Sequence, residues 1–189
     1  MAAVALFHSV YGLRPAMFAT ADRLRAAGHT VLTPDLYGLP AADDLAAGFA
    51  LAQRVGFPAM LARARAALQD LPPDAVLAGI SMGVSVVDVL LPERPATAGV
   101  LLLASATGSF GGVPPRLRAR LHVADPDPDF VPPAAVDRWI SGMTAAAAMF
   151  EVYRYPGVAH LWFDEDLPGH DPLAADLVWH RCEEFLRLS

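Results

Sequence analysis

The chain has 189 residues, 54% hydrophobic and 18% charged, with a formal net charge of -6, which excludes a disordered chain. The acidic balance, with no cluster of arginines, argues against a nucleic-acid partner. At about 150 residues per domain the length predicts a single domain over residues 1–189.

The apolar runs then alternate in strand and helix lengths along the chain. Val4–His8 is a short strand ending at Gly12, and Ala16–Ala27 is a helix with Phe18, Ala21, Leu24 and Arg25 at helical spacing, stopped by Gly28. Thr30–Thr33 is the second strand, ended by Pro34, and a loop rich in Ala, Asp and Gly follows. Pro58–Leu71 is a helix whose Met60, Leu61, Ala64 and Leu68 share a face, closed by Pro72 and Pro73. Ala75–Ile80 is the third strand, followed by a Ser-Met-Gly turn and a helix over Val84–Leu91. Gly99–Ala104 does not alternate, so it reads as a strand buried on both faces. Leu117–Ala124 alternates as a fifth strand, Pro132–Met149 is an Ala-rich helix, and Phe150–Tyr155 is a sixth strand. Asp171–Leu188 is a final helix, expected to turn Leu173, Leu177, Phe185 and Leu186 inward. Strands separated by helices predict a mostly parallel sheet covered on both faces.

All 14 basic residues are arginine, and neither lysine nor asparagine occurs. A lysine Schiff base with pyridoxal phosphate and a P-loop lysine are therefore excluded, as is N-glycosylation. Cys182 is the sole cysteine, so no internal disulfide or cysteine-based zinc site can form. The histidines lack metal-ligand spacing, and no metal or organic cofactor is implied. No apolar run of about 20 residues is present, and the start lacks a charged signal region; the expectation is a cytoplasmic protein with no membrane partner.

Gly79-Ile80-Ser81-Met82-Gly83 is a G-x-S-x-G pentapeptide between a strand and a helix, the context that makes it a nucleophile elbow. The turn is so tight that glycines two residues either side of the serine are needed where backbones approach. Ser81 then emerges at the carboxyl end of the sheet, with the Met82 N–H at the helix start facing any oxyanion formed there. A serine needs a base and a group to orient it, and on this fold the order along the chain is Ser, acid, His. The segment Asp125-Pro126-Asp127-Pro128-Asp129 follows the fifth strand, and Tyr155-Pro156-Gly157-Val158-Ala159-His160 the sixth. As a calcium loop the Asp segment fails, since Phe130 stands where glycine is needed and Val136 where glutamate is needed. His160 is the candidate base, with an aspartate of the first segment as its partner.

These motifs, with His8-Ser9-Val10-Tyr11-Gly12-Leu13 after the first strand and Pro34-Asp35-Leu36-Tyr37-Gly38 after the second, resemble the dienelactone hydrolase family of α/β-hydrolases over about Leu6 to Leu186. The resemblance implies a three-layer α/β-hydrolase fold of six to seven strands without a cap domain. It implies Ser81 as nucleophile, His160 as base, and the N–H groups of Val10 and Met82 as oxyanion donors. The family's spacing points to Asp127 as the acid, with Asp125 as the competitor. The chain also departs from the family pattern. Ser81 replaces a cysteine nucleophile, Ser9 stands in place of a glutamate, and Asp164 in place of a carboxylate-gripping arginine. The stretch Ser105–Arg116 is also short. The dienelactone carboxylate clamp is thus missing, and Asp164 is expected to repel anionic substrates.

The loops around Ser81 are expected to offer Tyr11, Leu13, Tyr37, Phe110, Leu161 and Trp162 as an apolar wall suited to a small neutral ester or lactone. Arg14 is either a carboxylate holder at this mouth or a solvated helix-start residue. The expected activity is a serine esterase working through an acyl-enzyme, in a monomer or weak homodimer. The alternatives are a non-catalytic small-molecule-binding protein of the same fold, and an acyltransferase or perhydrolase using the same three residues.

Overall fold

A computed structural model describes residues 1–108 and 112–189. Its centre is a six-stranded sheet, every neighbouring pair parallel, in the order β2-β1-β3-β4-β5-β6. The strands are β1 (Ala3–Phe7), β2 (Thr30–Leu32), β3 (Val76–Ile80), β4 (Val100–Leu103), β5 (Arg118–Asp125) and β6 (Met149–Pro156). The helices are α1 (Pro15–Ala26), α2 (Leu45–Val55), α3 (Phe57–Ala67), α4 (Met82–Leu90), α5 (Pro133–Ala145) and α6 (Pro172–Arg187). This is the α/β-hydrolase fold, and among the described residues no segment forms a cap domain.

Side-chain alternation along the strands divides the core in two. Val4 and Leu6 of β1 join Met17 and Leu24 of α1 with Val178, Phe185 and Leu186 of α6. Ala5 and Phe7 join Met60 and Ala64 of α3, Val87 and Leu90 of α4, and Trp139 of α5. β3 and β4 are buried along their whole length, as strands covered on both faces must be.

Three expectations change. The loop between β2 and α3 contains α2, capped by Asp44, whose carboxylate accepts the Ala47 N–H at 2.8 Å. Gly48 in its middle disguises it in sequence, but a Cβ there would lie 2.9 Å from the Val10 carbonyl oxygen, so close packing excludes a side chain. On α6, Leu173 is 84% exposed and Leu177 also faces outward, while Val178, Trp179 and Cys182 turn inward beside Phe185 and Leu186. The same displacement leaves Phe18 of α1 exposed. Helical spacing identifies a repeat, but the orientation is set by which stripe meets the sheet. β5 has no solvated face either, since Arg120 and His122 at its polar positions are buried.

The parallel register carries the ends of β1, β3, β5 and β6 to one edge of the sheet. The loops leaving those ends hold Val10, Ser81, Asp127 and His160.

Candidate active site

The site begins at the turn between β3 and α4. Gly79 and Gly83 face each other so closely that a Cβ on Gly79 would lie 2.6 Å from the Gly83 backbone, while one on Gly83 would run into the Phe7 carbonyl. Ser81 between them adopts φ 49° and ψ -109°, a region costly for a residue with a Cβ. Its N–H is held by the Leu103 carbonyl at 2.8 Å, which anchors the strained residue to β4.

Ser81 Oγ lies 2.9 Å from His160 Nε2. On the other side of the ring, Nδ1 lies 2.6 Å from Asp127 Oδ2. Asp127 is buried, and its carbonyl accepts the Val131 N–H at 2.8 Å, closing the loop that presents it. Asp125 is not at the ring: its partly exposed carboxylate faces Arg154 at 3.8 Å. Burial pulls the His160 imidazole below its ordinary pKa, and the hydrogen bond and charge of Asp127 oppose that shift. Phe130 stacks on the same imidazole, with ring centroids 4.1 Å apart.

The Val10 loop is built by internal bonds. His8 Nδ1 donates to the Ser9 carbonyl at 2.7 Å and its Nε2 accepts the Leu36 N–H at 3.1 Å, which sets its tautomer. Ser9 Oγ accepts the Tyr11 N–H at 3.3 Å, so this hydroxyl shapes the loop. The Tyr37 hydroxyl donates to the Val10 carbonyl at 2.8 Å and lies 3.4 Å from Met82 Sδ. One buried phenol thus spans the two residues whose N–H groups were expected to face the oxyanion. Burial raises its pKa to about 12, keeping it a donor.

A cleft of about 470 Å³ opens over Ser81 and His160. Of the expected wall, Tyr11 and Leu161 line it, as do Val10 and Met82. Leu13, Tyr37 and Trp162 do not. Leu13 packs against the core, Tyr37 is the buttress just described, and Trp162 is wholly buried against Tyr155 and Phe163. Phe110 lies outside the described residues. The wall that sequence reading missed comes from Leu45, Phe49 and Ala52 of α2, from Phe130, and from Leu167 and Pro168 beyond His160. The Asp44 cap and the 45-49-52 spacing were its available signals.

Arg14 takes neither expected role. It is buried, with Nε 3.3 Å from Asp166 and 3.8 Å from Asp164, and its guanidinium sits 4.8 Å from the Tyr11 ring centroid. Asp164 is therefore committed to an internal ion pair and is not part of the cleft wall. Among the described residues no group of three or more His, Cys, Asp or Glu is arranged to hold a metal ion.

No family model matches the chain, and no curated protein matches it significantly in sequence. Solved structures do match its fold. A dienelactone hydrolase-like promiscuous phosphotriesterase from metagenomic libraries superposes with a TM-score of 0.81 at 17% identity, over 99% of this chain and 86% of the other. A candidate dienelactone hydrolase from Klebsiella pneumoniae gives 0.76 at 16% identity, over 99% and 87%. A phospholipase/carboxylesterase from Dyadobacter fermentans gives 0.62 at 15%, over 95% and 88%. The chain is thus similar in fold to dienelactone hydrolase-like α/β-hydrolases over nearly its whole length.

Proposed function

We propose that the protein is a serine hydrolase of small carboxylic esters or lactones. One observation carries this reading: Ser81 Oγ and Asp127 Oδ2 bracket the two nitrogens of His160 at 2.9 and 2.6 Å. Proton transfer requires hydrogen-bond distance between nucleophile and base, and a third group that fixes the base's tautomer.

His160 Nε2 takes the Ser81 proton as Oγ attacks the carbonyl carbon, and the carbonyl π pair moves onto oxygen. The N–H groups of Val10 and Met82 receive that oxyanion, with Tyr37 holding the Val10 carbonyl and so the loop that carries its N–H. Asp127 accepts from Nδ1 and stabilises the imidazolium. The tetrahedral intermediate collapses, the C–O bond to the alcohol breaks, and Nε2–H protonates the departing oxygen. Water then repeats the sequence on the acyl-enzyme, releasing the acid and restoring Ser81. In a lactone, the freed hydroxyl stays attached to the acyl group throughout, and hydrolysis of the acyl-enzyme releases a single hydroxy acid.

The test is p-nitrophenol release from acetate and butyrate esters by the wild type and Ser81→Ala, with fluorophosphonate labelling of Ser81. The expected result is turnover that falls by about 10⁴-fold or more in the variant, with label on Ser81 alone. A folded wild type that neither turns over nor takes label would overturn the reading.

A further inference from the structure

α2 (Leu45–Val55) combines an apolar sequence with little full burial. It is apolar along nearly its whole length, with Arg54 as its sole charge, yet Gly48 is its only buried residue. Leu45, Leu51, Ala52 and Val55 are half-buried against the two core clusters, which leaves Phe49 as its large apolar side chain without a place in the core. Leu45, Phe49 and Ala52 stand four and three residues apart, so they form one stripe, and that stripe is a wall of the cleft over Ser81. Phe49 is 54% exposed and joins neither of the two core clusters.

Gly48 places the stripe. Its missing side chain lets α2 lie directly on the Val10 carbonyl, and Val10 lines the same cleft as Ser81 and the stripe. Phe130, flat on His160, is a second exposed aromatic wall of the same cleft. Among the described lining residues none is Arg, Asp or Glu. An ionised group entering here would lose water without gaining a carboxylate or guanidinium of opposite charge.

We infer that the α2 stripe Leu45–Phe49–Ala52 is the specificity element of this site, seating the uncharged aliphatic arm of an ester. The inference rests on the hydrolase reading for the word ester, but not for the binding of the arm. The arm belongs to either the acyl or the alcohol side of the scissile bond, and the chemistry that recognises it is the same.

Two homologous series separate the sides: methyl alkanoates from acetate to hexanoate, and alkyl acetates from methyl to hexyl, followed by titration of released acid. In the series whose arm meets α2, kcat/KM is expected to rise by about four-fold per methylene. Monomethyl adipate should fall at least ten-fold below methyl hexanoate if the acyl side is the one seated. Phe49→Ala should cut the long-chain advantage by about ten-fold, and Phe49→Leu should restore most of it. A flat profile in both series, or an unchanged profile in Phe49→Ala, overturns the inference while leaving the hydrolase reading intact. A second readout needs no turnover: hexanamide, but not acetamide, should raise the melting temperature of Ser81→Ala and fail to do so once Phe49→Ala is added. Should no ester be cleaved, that shift alone decides the inference, and its absence overturns it.

Discussion

Phe130 lies flat against the His160 imidazole, ring centroids 4.1 Å apart and planes 22° from parallel. It leaves the same loop as Asp127, so one segment supplies both the carboxylate that holds Nδ1 and a ring that covers a face of the base. Two effects oppose each other on the proton affinity of His160. Burial lowers the pKa, the carboxylate raises it, and burial is the larger effect.

This sets a pH profile. In the proposed reaction His160 must be neutral to accept the Ser81 proton, so kcat/KM is expected to fall on the acid side with a midpoint below about 6.5, the ordinary histidine value. Phe130→Ala opens the imidazole to water and should move that midpoint upward. The check is the acid limb of kcat/KM for wild type and variant on one ester. A midpoint that stays put would mean the stacked ring does not desolvate the base.

The two aspartates of the 125–129 loop should differ sharply. Asp127→Asn keeps the shape but favours the wrong tautomer, and is expected to lower kcat by about 10³–10⁴-fold. Asp125→Asn removes a partly exposed partner of Arg154, so its effect should stay within about three-fold. Steady-state kinetics of the pair distinguishes them, and the reverse order would reassign the acid.

Arg14 joins the loop after β1 to the loop after His160 through Asp164 and Asp166. Asp166 also accepts the Ala16 N–H at 3.0 Å, so the carboxylate holds the start of α1 as well. Burial already raises the Asp164 pKa and Arg14 opposes it. Arg14→Ala should then destabilise the fold by on the order of 3 kcal/mol, because it strands buried charge. Urea unfolding gives the value, and the Arg14→Ala, Asp164→Asn double variant should recover part of the loss.

Gly83 carries the packing of α4 on β1. A methyl group there would meet the Phe7 carbonyl and come within 2.9 Å of the His8 carbonyl, and neither backbone atom can move aside. Gly83→Ala is expected to lose about 3 kcal/mol or more of stability, along with the Ser81 geometry. Thermal melting and fluorophosphonate labelling measure the two effects separately.

Much of this was written locally. Strands such as Gly99–Ala104 declare themselves by unbroken apolar runs, and the elbow by glycines whose absent side chains are a steric need at that turn. The order Ser81, Asp segment, His160 follows from the β/α alternation, since each group sits just past a strand end and parallel strands share that edge. Periodicity could not orient a helix, which is why Leu173 and Leu177 of α6 turn outward. Nor could it separate a pocket wall from a buttress: Trp162 is core, and Tyr37 spends its hydroxyl on Val10. Asp127 is at His160 Nδ1 and Asp125 at Arg154 because the path of the loop decides which carboxylate reaches the ring. α2 is the clearest case, since Gly48 argues against a helix until the carbonyl it must clear is in view. Composition and spacing determined the layers, the shared edge and the tight turn at Ser81, because these are set by neighbours in the chain. The cleft wall, the partner of Arg14 and the face of His160 that is covered were decided by tertiary structure, because each depends on contact between segments far apart in sequence.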